Sequence, residues 1–168
     1  FVAMDIKYLQ GIRIDGTASG TITVSHCTFD SMLQGIYIAA AITLNTSDSA
    51  FSNMGRGSGG NGDGIDSIGV VVTLNTTRCS FADCAHGFIH TDTAGSVQNT
   101  SFCIGYASQD WGFNEPYWGY IVDAGSGYIY NCVAANLKRN TSGLSGGTGF
   151  LCQSLAGTWV VKNCIAYN

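Results

Sequence analysis

The feature that most constrains this chain is a unit it keeps repeating. In Gly20 to Ile38, GTITVSHCTFDSMLQGIYI, two alternating runs, Ile22-Thr23-Val24 and Cys27-Thr28-Phe29, precede a polar bend and a third run, Gly35-Ile36-Tyr37-Ile38. Period-2 alternation sends Ile22 with Val24, and Cys27 with Phe29, to one face, so each run reads as a strand of three or four residues. Strands that short bury no core alone and must stack on copies of themselves.

Copies follow. The Cys27/Phe29 anchor pair recurs as Ser49/Phe51, Cys79/Phe81, Thr100/Phe102, Cys132/Ala134 and Cys164/Ala166. A Gly-apolar strand start recurs independently at Gly11-Ile12, Gly35-Ile36, Gly64-Ile65, Gly87-Phe88, Gly119-Tyr120 and Gly149-Phe150, always between successive anchors. Two markers keeping step argue against coincidence. Asn99, Asn131 and Asn163 directly precede anchors, with Asn45 and Asn75 slightly earlier, which predicts amide side chains stacked at one repeated bend.

The rest of the composition narrows the possibilities. A hydrophobic content of 45% excludes a disordered chain, while 11% charged residues leaves a neutral surface of Gly, Ser, Thr and Asn suited to hydroxylated partners. Seven Lys and Arg are spread along a chain of net charge -4, so no basic stripe exists for nucleic acid. With 23 Gly and a single Pro, Pro116, the chain suits tight bends feeding paired strands. No run reaches the length of a membrane span, and no sustained 3.6-residue period predicts helix. The 168 residues read as one segment of a longer coil, 1–168, because neither end supplies a polar cap. Excursions from the stack are expected near 54–63, 105–118 and 138–148. The first of these, Gly55 to Gly62, is rich in glycine but lacks the Lys-Ser/Thr of a phosphate cradle.

Cysteine number is odd, and Cys27, Cys79, Cys132 and Cys164 share one repeat position, so they read as buried free thiols, not a disulfide framework. Cys79 and Cys84 lack zinc spacing and a matching His pair; no metal and no cofactor are expected.

This repeat grammar, G-x-[IV]-x-[VN], then N-C-x-F, then G-[IF], resembles that of the right-handed parallel β-helix of pectin-lyase-like enzymes and phage tailspikes, over essentially the whole chain. The resemblance implies an all-β single-stranded solenoid of five to six coils. Variable excursions, low charge and Ser/Thr/Gly/Asn-rich bends are closer to a tailspike or capsule depolymerase than to a plant-type pectinase. The polygalacturonase pattern needs a paired-Asp segment that is missing, and its His-Gly element has a nominal match at His86-Gly87, on an ordinary strand-start glycine. A tailspike likeness implies a homotrimer on a virion or cell surface that binds, and as a glycoside hydrolase or polysaccharide lyase cleaves, a host surface polysaccharide. The alternative is a non-catalytic structural or adhesive stalk.

Because the interior of such a stack is packed side chain, chemistry must sit on the outer face or the excursions. The segment Tyr106 to Tyr120, YASQDWGFNEPYWGY, sets Trp111, Phe113, Tyr117 and Trp118 beside Asp110 and Glu115. Aromatic faces stack on sugar rings while carboxylates take hydroxyls, so Trp111, Tyr117, Trp118 and Asp110 are substrate-binding candidates. The competing reading has these aromatics seal the loop or meet a neighbouring subunit. Acid–base cleavage of a glycosidic bond needs carboxylates roughly 5 to 10 Å apart, and Asp63, Asp66, Asp92, Asp123 and Glu115 are available. Asp66, His90 and Asp123 follow Gly64, Gly87 and Gly119 at similar offsets, which places them in a column up one face. A lyase would instead use His90 as base with Arg56 or Arg78 neutralising a uronate. Asp66, Asp123, Glu115 and His90 are therefore the catalytic candidates, against the plainer reading that turn aspartates bond their own backbone.

Overall fold

The computed structural model describes residues 10–55, 62–108, 118–137, 147–153 and 157–167. Among them every regular element is a short strand, and every third strand returns to the same sheet. Three sheets result, each of six strands, each paired in parallel with the coil above and below. The first sheet contains Gln10–Asp15, Gln34–Ala39, Ile65–Ser67, Ile89–Thr91, Trp118–Val122 and Thr148–Cys152. The second contains Thr21–Ser25, Thr43–Ser47, Thr73–Thr77, Val97–Ser101, Ser126–Tyr130 and Trp159–Lys162. Thr28–Asp30, Ala50–Met54, Ser80–Cys84, Ile104–Tyr106, Val133–Ala135 and Ile165–Tyr167 form the third. The chain is a parallel β-helix of six coils.

A single residue makes the corner between the second and third sheets in every coil. His26, Asp48, Arg78, Phe102, Asn131 and Asn163 all adopt left-handed backbone, with φ between 50° and 54°. The residue after each is the anchor. This places the fourth anchor at Cys103, not Thr100, because Ile104 pairs with Ser80 and Gly105 with Phe81. Phe102, taken from sequence as a core ring, is instead the exposed corner residue. Its aromatic two residues after an apolar-looking Thr imitated the anchor pair, and only the corner geometry separates them.

The missing ring at Gly105 is replaced from across the core. In the lower coils Phe29, Phe51 and Phe81 stack with centroids 4.8 and 5.0 Å apart, and the strand starts facing them are glycines. In the fourth coil the two roles are exchanged. Ile65 N donates to Phe88 O as Ile36 N donates to Gly64 O, so Phe88 and not Gly87 holds the strand-start position. Its ring occupies the space a Cβ on Gly105 would need. The aromatic column then continues on the first sheet, Phe88 to Tyr120 at 5.5 Å and Tyr120 to Phe150 at 5.4 Å. Asparagines also divide into two sets. Asn45, Asn75 and Asn99 form a hydrogen-bonded ladder on the outer face of the second sheet, Nδ2 to Oδ1 at 2.8 Å each, while Asn131 and Asn163 make corners.

Most of the three predicted excursions lies outside the described residues, but their edges are shorter than expected. Ile104–Tyr106, Trp118–Val122 and Thr148–Cys152 are strands of the stack.

Candidate active site

Alternation along the first sheet determines the make-up of the site. Ile65 and Ile89 enter the core, so Asp66 and His90, the next residues on neighbouring coils and in register, face outward. The same position holds Arg13 and Tyr37 in the coils below and Ile121 and Leu151 in those above. Acid and imidazole therefore meet only at the middle of the column.

His90 lies between two carboxylates. Its Nδ1 is 3.1 Å from Asp66 Oδ1 and its Nε2 is 3.2 Å from Asp123 Oδ2. An ionised carboxylate only accepts, so both ring nitrogens carry hydrogen and the ring is an imidazolium. Below it, Gln34 Nε2 donates to Asp66 Oδ2 at 2.5 Å, and Gln10 Nε2 donates to Gln34 Oε1 at 2.7 Å. One chain of contacts thus crosses the first five coils. Beside it, His86 Nδ1 lies 3.0 and 3.1 Å from the two oxygens of Asp63. The two imidazoles are 5.3 Å apart, and Trp118 meets His86 edge-on at 4.9 Å.

Burial divides these groups by role. The Asp63 and Asp66 side chains are 1% exposed, those of His86 and His90 12% and 11%, and that of Asp123 33%. Two carboxylates thus hold the imidazoles from behind; the imidazoles, Asp123 and Trp118 form the side a reactant can reach. Burial disfavours a charged His90, but the hydrogen bond to Asp66, the charges of Asp63 and Asp66 and the contact with Asp123 outweigh it, and its pKa is pushed up to about 9. His86 shows the same balance, burial opposed by the charge and hydrogen bond of Asp63, and is also raised. Burial raises Asp66 to about 6, with the Asp63 charge adding to the rise and His90 opposing it.

Of the sequence candidates, Asp66, His90 and Asp123 are brought together, and Trp118 stands next to them. Glu115, Trp111, Tyr117 and Asp110 lie outside the described residues, as does Arg56. Arg78 is on another face, paired with Asp48 at 2.6 and 2.8 Å, so it cannot serve as a partner for His90. Asp92 accepts from Gly69 N on the neighbouring coil and from Thr93 Oγ1 beside it, and joins neither imidazole. His86, given little weight from sequence, is a central member. Its signal was Gly87: a Cβ there would lie 2.8 Å from Asp63 Oδ1 and 2.6 Å from Ile121 Cδ1, so the glycine makes room for the Asp63–His86 pair. Gln34 was also missed, although Gln10 and Gln34 precede Gly11 and Gly35 in identical Gln-Gly-Ile contexts.

Asp63, His86 and His90 each bring a potential metal-ligand atom within 4.8 Å of the others. Both ring nitrogens of His90 and Nδ1 of His86 are engaged by carboxylates, so a cation held by all three residues would have to displace at least one of these contacts. Compared with known proteins, the chain matches no family model, no curated protein and no solved structure. Its class is defined by fold and site: a parallel β-helix with a half-buried acid–imidazole array on one outer face.

Proposed function

We propose that this chain is a tailspike-type segment that binds and cleaves a surface polysaccharide on the outer face of its first sheet. The observation that carries the reading is the Asp66–His90–Asp123 array with Asp63–His86 alongside, two imidazoles backed by buried carboxylates and opening beside an indole. An imidazolium at the rim supplies a proton to the departing glycosidic oxygen. Asp123, the most exposed carboxylate of the array at 33%, is the group placed to activate water or take up the developing charge. Trp118 offers a face to a sugar ring. An exposed apolar strip along the third sheet and its corner, Ile104, Ile165 and Tyr167 with Phe102, supports contact with further copies in a homotrimer on a virion or cell surface.

A second reading is favoured by how completely the array satisfies itself. Buried carboxylates paired with imidazoles also make a structural stack, as a non-catalytic stalk would need. Incubation with a panel of bacterial capsular and exopolysaccharides separates the two. New reducing ends without absorbance from unsaturated uronate indicate hydrolysis, both together indicate a lyase, and neither, with no oligosaccharide binding, leaves the stalk. His86→Asn is expected to lower turnover at least 100-fold with the fold intact.

A further inference from the structure

With Cys103 as the fourth anchor, the position after the left-handed corner reads Cys27, Ser49, Cys79, Cys103, Cys132 and Cys164 through the six coils. Four consecutive coils place a thiol there. Backbone bonds fix the stacking: Ile104 N donates to Cys79 O at 3.0 Å, Val133 N to Cys103 O at 2.9 Å and Ile165 N to Cys132 O at 2.9 Å. The thiols also turn the same way. Those of Cys79, Cys103, Cys132 and Cys164 donate to the carbonyls of Thr77, Ser101, Tyr130 and Lys162, each two residues back, at 3.2 to 3.4 Å. One side-chain rotation repeated on rungs about 4.8 Å apart sets the sulfurs at about that spacing. The Cys103 thiol interacts with those of both Cys79 and Cys132.

That spacing is wrong for a disulfide and right for something else. In-register rungs hold Cβ atoms about 4.8 Å apart, beyond the roughly 3.5–4.5 Å a disulfide needs, and all seven cysteines are free. A metal–sulfur bond of about 2.3 Å means that two such bonds in line span about 4.6 Å. Thiol sulfur selects soft cations.

We propose that this column binds two soft monovalent d10 cations of the Cu(I) or Ag(I) kind, one between Cys79 and Cys103 and one between Cys132 and Cys164. Each cation displaces one thiol proton to solvent and takes the neighbouring thiol as a neutral second donor, so no electron is transferred and the site stays uncharged in the apolar core. Both sites are reachable. A groove of about 540 Å³ lined by Cys27, Ser49, Cys79 and Arg78 runs along this corner, and Cys164 is partly exposed. The proposal is independent of the polysaccharide reading.

The test uses the reduced full chain in a Cys152→Ser background, which removes the exposed thiol of the first sheet, titrated with Ag(I) and weighed by native mass spectrometry. Two silver ions per chain are expected. Cys103→Ser and Cys132→Ser should each retain one, and Cys84→Ser, a buried thiol outside the column, should retain two. Ser49 occupies this same position naturally, so serine is expected to be tolerated, with circular dichroism confirming the fold. Failure to saturate at two, or a loss in Cys84→Ser equal to that in Cys103→Ser, would overturn the proposal.

Discussion

The outer faces of the first and second sheets use the same geometry to opposite ends. On the second, Asn45, Asn75 and Asn99 repeat one residue on three coils, and each of the upper two amides donates to the one below. On the first, four successive coils carry Gln34, Asp66, His90 and Asp123, four side chains of three chemical kinds, of which only Asp66 and His90 share a register position, joined by coil-to-coil bonds. A repeat that copies itself makes a ladder whose members are interchangeable. Where copying stops and acid alternates with base, each member depends on its particular neighbour. The two faces therefore differ in what a single substitution removes: a neutral bond on one, the partner of a buried charge on the other.

The largest effect tests that difference directly. His90→Leu leaves Asp66 buried without its counter-charge and is expected to destabilise the chain by about 3–5 kcal/mol in denaturant unfolding. Asp66→Leu combined with His90→Leu should recover most of the loss, because no charge is then stranded. Equal destabilisation of single and double variants would show that packing, not charge pairing, governs this face.

Titration gives a second, slightly smaller effect of known sign. His90 is raised to about 9 in the folded chain, against about 6.5 when unfolded, so its stabilisation is complete below the lower value and is lost as pH rises through the higher. The difference corresponds to about 3 kcal/mol. Asp66, also raised, acts in the same direction over a lower range, losing its contribution as pH rises through about 6. Unfolding measured from pH 5 to 10 should show the upper loss in the wild type and not in His90→Gln. Parallel curves for the two would remove His90 as the titrating group.

Gly87→Ala sharpens the comparison at one atom. Its Cβ would press on Asp63 Oδ1 and Ile121 Cδ1, and the expected cost is about 1–3 kcal/mol together with loss of any glycan cleavage. Full activity in a folded Gly87→Ala chain would detach the Asp63–His86 pair from the chemistry.

The fold was legible because stacking demands that the same positions be apolar on every coil, and Ile36, Ile65, Phe51 and Phe81 meet that demand visibly. The exact register was less so. Phe88 and Gly105 exchange a ring and a glycine across the core, which conserves volume while moving both sequence markers, and Gly87 and Phe102 then stand where a strand start and a core ring were expected. Site legibility follows the same division. Asp66, His90 and Asp123 could be aligned by counting from the strand starts. His86 sits in the turn before the strand, where no periodicity reports on it, and Arg78 looked available only because its partner Asp48 is 30 residues away in sequence.

The smallest effect belongs to the neutral ladder. Asn75 occupies its middle, donating to Asn45 and accepting from Asn99, so Asn75→Ala removes two amide bonds at once. Both partners are only half-buried and can turn to water, and the expected loss is about 1 kcal/mol. Asn75→Asp tests the interchangeability argument more closely. It keeps an acceptor for Asn99 but loses the donor to Asn45, placing one charge among neutral neighbours on a face that water still reaches. Denaturant unfolding should put its cost within about 1 kcal/mol of that of alanine. A penalty approaching that of His90→Leu would mean that the second sheet is as intolerant of a lone charge as the first, and that the alternation of acid and base does not set the two faces apart.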